Sequence, residues 1–368
     1  MAARVIDLTF LTSAQGFIIQ GDVSGNRAGW SVSNAGDVNG DGIADVIVGA
    51  RYGDNGGSFA GEAYVLFGKT SGFTNIDLSS FTLADGFIIQ GDAANDQAAY
   101  SVSYAGDVNG DGIDDVIVGA PYGDDGDPNA GEAYVIFGKT SGIANIDLSS
   151  LTLADGFIIQ GDASNDAAGW SVSYAGDVNG DGIDDVIVGA PYGDDGGSYA
   201  GEAYVIFGKA SGTANIDLTS LTTAEGFIIQ GDVADDRAGH SVSAAGDVNG
   251  DGIDDVIVGA FFGSDGGTHA GEAYVIFGKS TGFTNIDLSA FTLADGFIIQ
   301  GDLNLDYAGR SVSAAGDVNG DGIDDIIVGA ANGDNGGPDA GEAYVVFGRS
   351  SGFTNIDLTS FTLADGFI

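Results

Sequence analysis

The residues of this chain best suited to chemistry are acidic side chains that recur in one short pattern. The pattern is Asp-x-Asn-x-Asp-Gly-x-x-Asp, and its first copy places side chains at Asp37, Asn39, Asp41 and Asp45. Calcium takes about six to eight oxygen ligands, and alternating Asp and Asn side chains around a tight glycine turn can supply them. We predict that these four side chains and the backbone carbonyl of Ile43 bind one calcium ion.

Five complete copies of the pattern make calcium a better explanation than a plain acidic turn. One copy alone would be explained as well by a hairpin turn, since Asn-Gly and Asp-Gly favour such turns. Magnesium is a weaker expectation, because it keeps several of its waters and rarely uses a dedicated protein cage. We therefore expect about five calcium ions. The predicted ligands in the other four copies are Asp107, Asn109, Asp111, Ile113, Asp115, Asp177, Asn179, Asp181, Ile183, Asp185, Asp247, Asn249, Asp251, Ile253, Asp255, Asp317, Asn319, Asp321, Ile323 and Asp325.

A further acid stands at position 8 of the pattern in four of the copies. These residues are Asp114, Asp184, Asp254 and Asp324. Carboxylates this close repel one another when no cation is present. We therefore expect metal binding and folding to be coupled, so that chelation destabilises the protein.

The loops are positioned by a repeat of 70 residues, since successive copies begin at Asp37, Asp107 and Asp177. The repeat units are residues 17–86, 87–156, 157–226, 227–296 and 297–366. In each unit four runs rich in Val, Ile, Tyr and Phe predict strands, which in unit two are 87–91, 101–105, 115–120 and 132–138. The sequence shows no helical period. The repeated strand runs therefore indicate an all-β chain in which residues 1–368 form one β-propeller domain of four-stranded antiparallel blades.

Two alternatives concern how the units are joined. Five independent beads on a string are disfavoured, because the connector 139–155 contains Ile143, Ile146 and Leu148, which are too apolar for an exposed linker. A ring of five blades would close if residues 17–21 supplied the outer strand of the final blade. However, residues 3–18 and 353–368 are similar copies that compete for that position. A segment of a larger ring therefore stays open as an interpretation.

Charge and composition exclude several classes of partner. Acidic residues outnumber basic ones by 54 to 10, for a net charge of −44, so the chain should repel nucleic acid. There is no cysteine, and no apolar run approaches the length of about 20 residues that a membrane span needs. The N-terminus lacks the apolar stretch of a signal peptide. We expect a secreted or cell-surface monomer whose export signal lies outside this chain.

Three motifs follow one another in each unit. In unit two they are Gly-Asp-Val-Asn-Gly-Asp-Gly-Ile-Asp-Asp, Val-Ile-Val-Gly-Ala-Pro at 116–121 and Gly-Glu-Ala-Tyr-Val-Ile-Phe-Gly at 131–138. Together they resemble the FG-GAP repeat of the integrin α-subunit propeller over essentially the whole chain. The resemblance implies calcium between the first and second strands and a binding or adhesion role. The near-identity of the units, the acidity and the lack of cysteine are closer to bacterial surface proteins than to animal receptors.

The face opposite the calcium loops is where the units differ from one another. The position before the first strand holds Trp30, Tyr100, Trp170, His240 and Arg310. The loop after the second strand adds Tyr52, Tyr122 and Tyr192. Aromatic rings with scattered Arg are typical of recognition surfaces, so we expect a protein or glycan ligand to bind here. Drift of exposed loops would produce the same variation without any ligand.

An enzyme is not expected. Near-identical units offer no asymmetric cluster of acid, base and nucleophile, and His240 beside Ser241 lacks a Gly-x-Ser-x-Gly elbow. We predict a recognition or adhesion module. The alternative is a structural spacer, or an accessory domain of a larger secreted enzyme.

Overall fold

Strand-forming runs dominate the structure, a computed structural model that describes residue 8, residues 11–12 and residues 15–368. The predicted terminal copy at residues 3–18 therefore lies mostly outside the described residues. The run Asp-Val-Ile-Val-Gly-Ala illustrates why strands form, because β-branched side chains pack well on a pleated surface. Four such runs per unit assemble into five antiparallel sheets, numbered 1 to 5 in chain order.

Every sheet uses the same four strands. The first strands are Ser31–Gly36, Ser101–Gly106, Ser171–Gly176, Ala238–Gly246 and Ala308–Gly316. The second strands are Asp45–Ala50, Asp115–Ala120, Asp185–Ala190, Asp255–Ala260 and Asp325–Ala330. The third strands are Glu62–Leu66, Glu132–Ile136, Glu202–Ile206, Glu272–Ile276 and Glu342–Val346. The fourth strands, each from the start of the next unit, are Gly86–Gln90, Gly156–Gln160, Gly226–Gln230, Gly296–Gln300 and Gly366–Phe367.

The connectors between units add a short strand that the sequence did not reveal. Ile146–Asp147 pairs parallel with the fourth strand of sheet 1, with Ile146 opposite Ile89. The equivalent strands are Ile76–Asp77, Ile216–Asp217, Ile286–Asp287 and Ile356–Asp357. Each is followed by a 3-10 turn, at Leu78–Ser80, Leu148–Ser150, Leu218–Ser220, Leu288–Ala290 and Leu358–Ser360. The connector thus fastens each unit to the outer edge of the preceding sheet.

The hydrophobic core lies between consecutive sheets rather than within one sheet. Ile47 and Val65 of sheet 1 pack with Val116 and Val118 of sheet 2, and Leu148 of the connector closes the same cluster. The first strands of neighbouring sheets also lie side by side, and the N–H of Val102 donates to Ser31 Oγ at 3.0 Å. Such packing joins the sheets as propeller blades, which confirms the predicted fold class and argues against independent beads.

The two ends of the series of sheets do not meet in the described part of the chain. The expectation that residues 17–21 complete the final blade is wrong, since Ile19–Gln20 pairs with Ile76–Asp77. Gly366–Phe367 takes the edge of sheet 5 instead. Val32 in the first strand of sheet 1 is consequently 65% exposed, whereas Val102 at the equivalent place in sheet 2 is 5% exposed. In the described residues, the first strand of sheet 1 therefore has one side that no neighbouring sheet covers.

Candidate metal centres and recognition face

The five Asp-rich loops connect the first and second strands of each sheet, and we call the side of the molecule that carries them the loop face. In the first loop, Asp37 accepts the N–H groups of Asp41 at 3.0 Å and Gly42 at 2.7 Å. Gly42 adopts φ 84°, a left-handed conformation that favours glycine. Asn39 Oδ1 accepts the Asp41 N–H at 2.9 Å, and Asp41 Oδ1 accepts that of Ile43 at 2.9 Å. The predicted side-chain ligands therefore share one tight turn.

The last acid of the pattern is buried at the start of the second strand. Asp45 Oδ2 accepts the N–H of Val38 at 3.1 Å, and Oδ1 accepts that of Gly68 at 2.7 Å. Burial raises the pKa of Asp45 to about 6, although these two N–H groups oppose the shift. Burial likewise raises the pKa of Asp115 to about 8. A cation would remove the cost of holding these carboxylates ionised, so the residues fit the predicted ion.

The loop face also links each unit to the next. The position-8 acid Asp114 accepts the N–H of Asp37 at 2.6 Å, and Asp184 accepts that of Asp107 at 2.8 Å. The N–H of Lys139 donates to the Val38 carbonyl at 2.9 Å. The first unit has Ala44 at position 8, and no four-stranded sheet precedes it in the described structure. The position-8 acids therefore serve the neighbouring loop by hydrogen bonding, a role that the sequence did not reveal.

On the opposite face, which we call the row face, Trp30, Tyr100 and Trp170 directly precede their first strands as predicted, whereas His240 and Arg310 lie within theirs, and neighbouring members of this set lie beside one another. Ring centroids are 5.8 Å apart for Trp30 and Tyr100, 4.7 Å for Tyr100 and Trp170, and 5.9 Å for Trp170 and His240. We call these four residues the aromatic row. The fifth predicted member, Arg310, instead lies over Phe261, 5.2 Å from its ring centroid.

Further rings and cations flank the aromatic row. Tyr122 meets Tyr100 at a centroid distance of 6.5 Å, and Tyr192 meets Trp170 at 5.5 Å. At the first unit, Arg51 lies 3.5 Å from the Trp30 ring centroid and 4.6 Å from that of Tyr52. Stacked rings with guanidinium groups can bind planar or cationic groups by stacking and cation–π attraction. The structure thus brings the predicted row and its three tyrosines onto one surface.

His240 differs from the rings around it because it can take a proton. Its Nδ1 is buried without a hydrogen-bond partner, and its ring lies 4.3 Å from that of Phe261. Burial, reinforced by the charge of Arg310, lowers the pKa of His240 to about 4. The imidazole is therefore neutral at pH 7 and belongs with the aromatic side chains of the row.

Comparison with known proteins agrees with this repeated architecture. The FG-GAP repeat matches residues 28–66, 98–136, 168–206, 238–276 and 308–346, which contain the first three strands of every sheet. The chain belongs to the FG-GAP repeat family. The FG-GAP chain is also 34% identical to integrin alpha pat-2 of Caenorhabditis elegans over 64% of its length, covering 18% of that protein.

A second group of relatives consists of proteins named as phospholipases rather than integrins. The FG-GAP chain is 32% identical to the phosphatidylinositol-glycan-specific phospholipase D of Bos taurus, over 50% of its own length and 21% of the relative's. A further integrin relative, integrin alpha-PS2 of Drosophila melanogaster, is 29% identical over 61% of the chain and 15% of that protein. The chain therefore spans about a fifth or less of the length of these relatives. Among its described residues, no helix is both long and apolar enough to cross a bilayer.

The FG-GAP chain also contains acidic groups that sequence reasoning missed. Among the described residues, three groups of carboxylates bring their oxygens within 4.8 Å of one another, and all three lie on the row face rather than in the Asp-rich loops. Asp92, Asp96 and Glu132 form the first group. A signal was available, because the acids equivalent to Asp92 and Glu132 recur in every unit. The two acids of each such pair are far apart along the chain, so the sequence alone did not show that they lie together.

Proposed function

We propose that this chain is a calcium-stabilised recognition module of a secreted or cell-surface protein, which binds a protein or glycan ligand through the aromatic row. The observation that carries the proposal is the continuous row itself, with centroid spacings of 4.7–5.9 Å on the face where the units differ. Aromatic and Arg side chains dominate binding hot spots. Names of relatives that include integrin alpha support the same class of function. The module is proposed to act as a monomer without enzymatic activity.

Calcium is the proposed ion for the five Asp-rich loops. Support comes from the all-oxygen donor set, the left-handed glycines and the buried carboxylate of the Asp45 position. Since the first four loops are each hydrogen-bonded to the following unit, an ion there would stabilise the contact between blades as well as the turn.

A test of recognition removes the rings and leaves the loops unchanged. The variant Trp30→Ala, Tyr100→Ala and Trp170→Ala would be compared with the wild type on a glycan array and in a pull-down from surface proteins. We expect the variant to lose binding by at least about thirty-fold, because central aromatic anchors contribute about 2 kcal/mol or more. Tyr104 and Tyr174, whose tilted rings have centroids 5.1 Å apart on neighbouring first strands, provide a matched control when both become Ala.

The control must keep the binding that the row variant loses. Equal loss in both variants would mean that the row acts through stability, and unchanged binding in the row variant would contradict the proposed surface.

A structural spacer or an accessory domain of a secreted enzyme is the second candidate. It is favoured by the 32% identity to a protein named as a phospholipase D. Absence of any glycan or protein ligand for the wild type, combined with calcium-dependent stability, would favour this second candidate.

A further inference from the structure

The row face holds three buried clusters of carboxylates, built alike in sheets 2, 3 and 4. In sheet 2 the cluster contains Asp92 from the end of the fourth strand of sheet 1, Asp96 from the following turn, and Glu132 from the third strand of sheet 2. The equivalent clusters are Asp162, Asp166 and Glu202, and Asp232, Asp236 and Glu272. One oxygen from each member lies within 4.8 Å of the others.

The central acids of these clusters are buried beside other acids. Asp96 is 4% exposed, Asp166 4% and Asp236 5%, and among the described residues the one side-chain hydrogen bond to these carboxyls joins Asp236 to the neighbouring acid Asp232. Oδ1 of Asp92, Asp162 and Asp232 is likewise buried and unpartnered. Glu132 does have donors, namely the Tyr134 hydroxyl at 2.5 Å and the Asp125 N–H at 2.8 Å. A buried carboxylate needs a compensating positive partner, and here no protein group supplies one.

In the first unit a hydrogen-bond donor from the protein occupies the equivalent place. Asn26 stands where the clusters have Asp96, and it is buried like Asp96. Its amide nitrogen donates to Asp22 Oδ1 at 3.3 Å and to Glu62 Oε1 at 3.2 Å. A donor thus lies between the two outer carboxylates. In the three clusters this position holds an acid, so the carboxylates can be neutralised only by protons or by a cation from the solvent.

A second position changes together with the first. Asn55 of the first unit donates to Glu62 Oε2 at 2.5 Å, and Asn335 of the fifth donates to Glu342 Oε2 at 2.9 Å. The three cluster-bearing units have Asp125, Asp195 and Asp265 at this place. These units therefore have acids at all four places where the first unit has two acids and two amides, and three of the four acids converge. The units that lack the internal amides are the ones whose oxygens come together.

We propose that each of these three clusters binds a calcium ion, separately from the Asp-rich loops on the other face. The donors are carboxylate oxygens without nitrogen or sulfur, which suits a hard cation with a flexible oxygen shell. Calcium fits better than magnesium because three protein carboxylates converge, whereas magnesium is usually held by one or two carboxylates and keeps several waters. The ions would join three separate segments and hold the turn that presents Tyr100 and its equivalents.

Ion counting by equilibrium dialysis with radioactive calcium tests the proposal. Five loops and three clusters predict eight bound ions for the wild type. The variant Asp96→Asn, Asp166→Asn and Asp236→Asn copies the natural Asn26 and should bind five. A control, Asp127→Asn, Asp235→Asn and Asp339→Asn, removes three exposed charges from the same face and should still bind eight.

The outcomes separate this proposal from that of the loops. Five ions in both the wild type and the cluster variant would overturn the clusters and leave the loops intact. Three ions in the wild type and none in the variant would uphold the clusters and contradict the loop sites.

A gain-of-site variant keeps the test decisive should the triple variant fail to fold. Asn26→Asp combined with Asn55→Asp gives the first unit the four acids of its neighbours. We expect one additional bound ion, and an unchanged count would overturn the inference.

Discussion

The loop face and the row face of this molecule differ in what is repeated. On the loop face every unit carries the same Asp-rich turn, and four position-8 acids accept a backbone N–H from the preceding loop. On the row face the equivalent positions hold Trp, Tyr, His and Arg. Identical side chains suit a face where each unit meets the same neighbour and, as we propose, the same ion. The residues of the aromatic row differ from unit to unit, as the proposed recognition of a single ligand would require.

Removal of calcium should produce the largest effect and would act mainly through the loop face. At calcium concentrations about a hundred times Kd, each bound ion stabilises the fold by about 2.7 kcal/mol. Five loop ions therefore contribute on the order of 10 kcal/mol, and we expect chelator to lower Tm by at least about 10 °C. Differential scanning calorimetry with and without EDTA measures this shift. An unchanged melting curve would mean that the loops are only turns.

Trp170→Ala is expected to have the next largest effect, this time on the row face. The Trp170 ring contacts Tyr100, Tyr192 and His240, and its side chain is half-buried. Its removal should cost about 2–3 kcal/mol of unfolding free energy. Trp30→Ala is the matched control, because Trp30 lies at the end of the row and is 45% exposed. This substitution should cost about 1 kcal/mol or less of unfolding free energy. Urea unfolding in saturating calcium compares the two, and equal losses would contradict a packed row.

The sequence predicted the strands well because each one is a continuous run repeated five times. The predicted strand 115–120 matches Asp115–Ala120, and 132–138 differs from Glu132–Ile136 only at its end. The connector strand Ile146–Asp147 escaped prediction because two residues carry no periodicity.

Features assembled from distant segments were also missed. The cluster of Asp92, Asp96 and Glu132 joins three segments. Asp114 was interpreted as part of its own calcium loop, yet it accepts the N–H of Asp37 in the preceding unit. A sequence pattern identifies neighbours along the chain, whereas these contacts cross between sheets.

Asp184→Ala should have a smaller effect and tests the link between units on the loop face. Asp184 accepts the N–H of Asp107 at 2.8 Å and the Tyr174 hydroxyl at 3.3 Å. The loss of a charge-assisted hydrogen bond should cost about 1–2 kcal/mol in saturating calcium. Ala44→Asp supplies the converse control, since the described structure has no preceding Asp-rich loop to which residue 44 could bond, and no stabilisation is expected. Chemical denaturation of both variants measures the difference, and a neutral Asp184→Ala would show that the position-8 acids do not join the units.

The last expected effect is a pH dependence carried by His240 on the row face, which appears only in acid. Its pKa is lowered to about 4 in the folded protein by burial and by the charges of Arg310 and Arg237, against 6.5 ordinarily. The unfolded chain therefore binds the proton more readily, so this contribution to stability is complete above pH 6.5 and is lost as pH falls toward 4. His240→Tyr, which copies Tyr100, removes the dependence. Between pH 7 and pH 4.5 the wild type should lose about 1–2 kcal/mol more than the variant, measured by urea unfolding. Parallel losses would mean that the row accepts a charged imidazole, and the row would then be less apolar than its packing indicates.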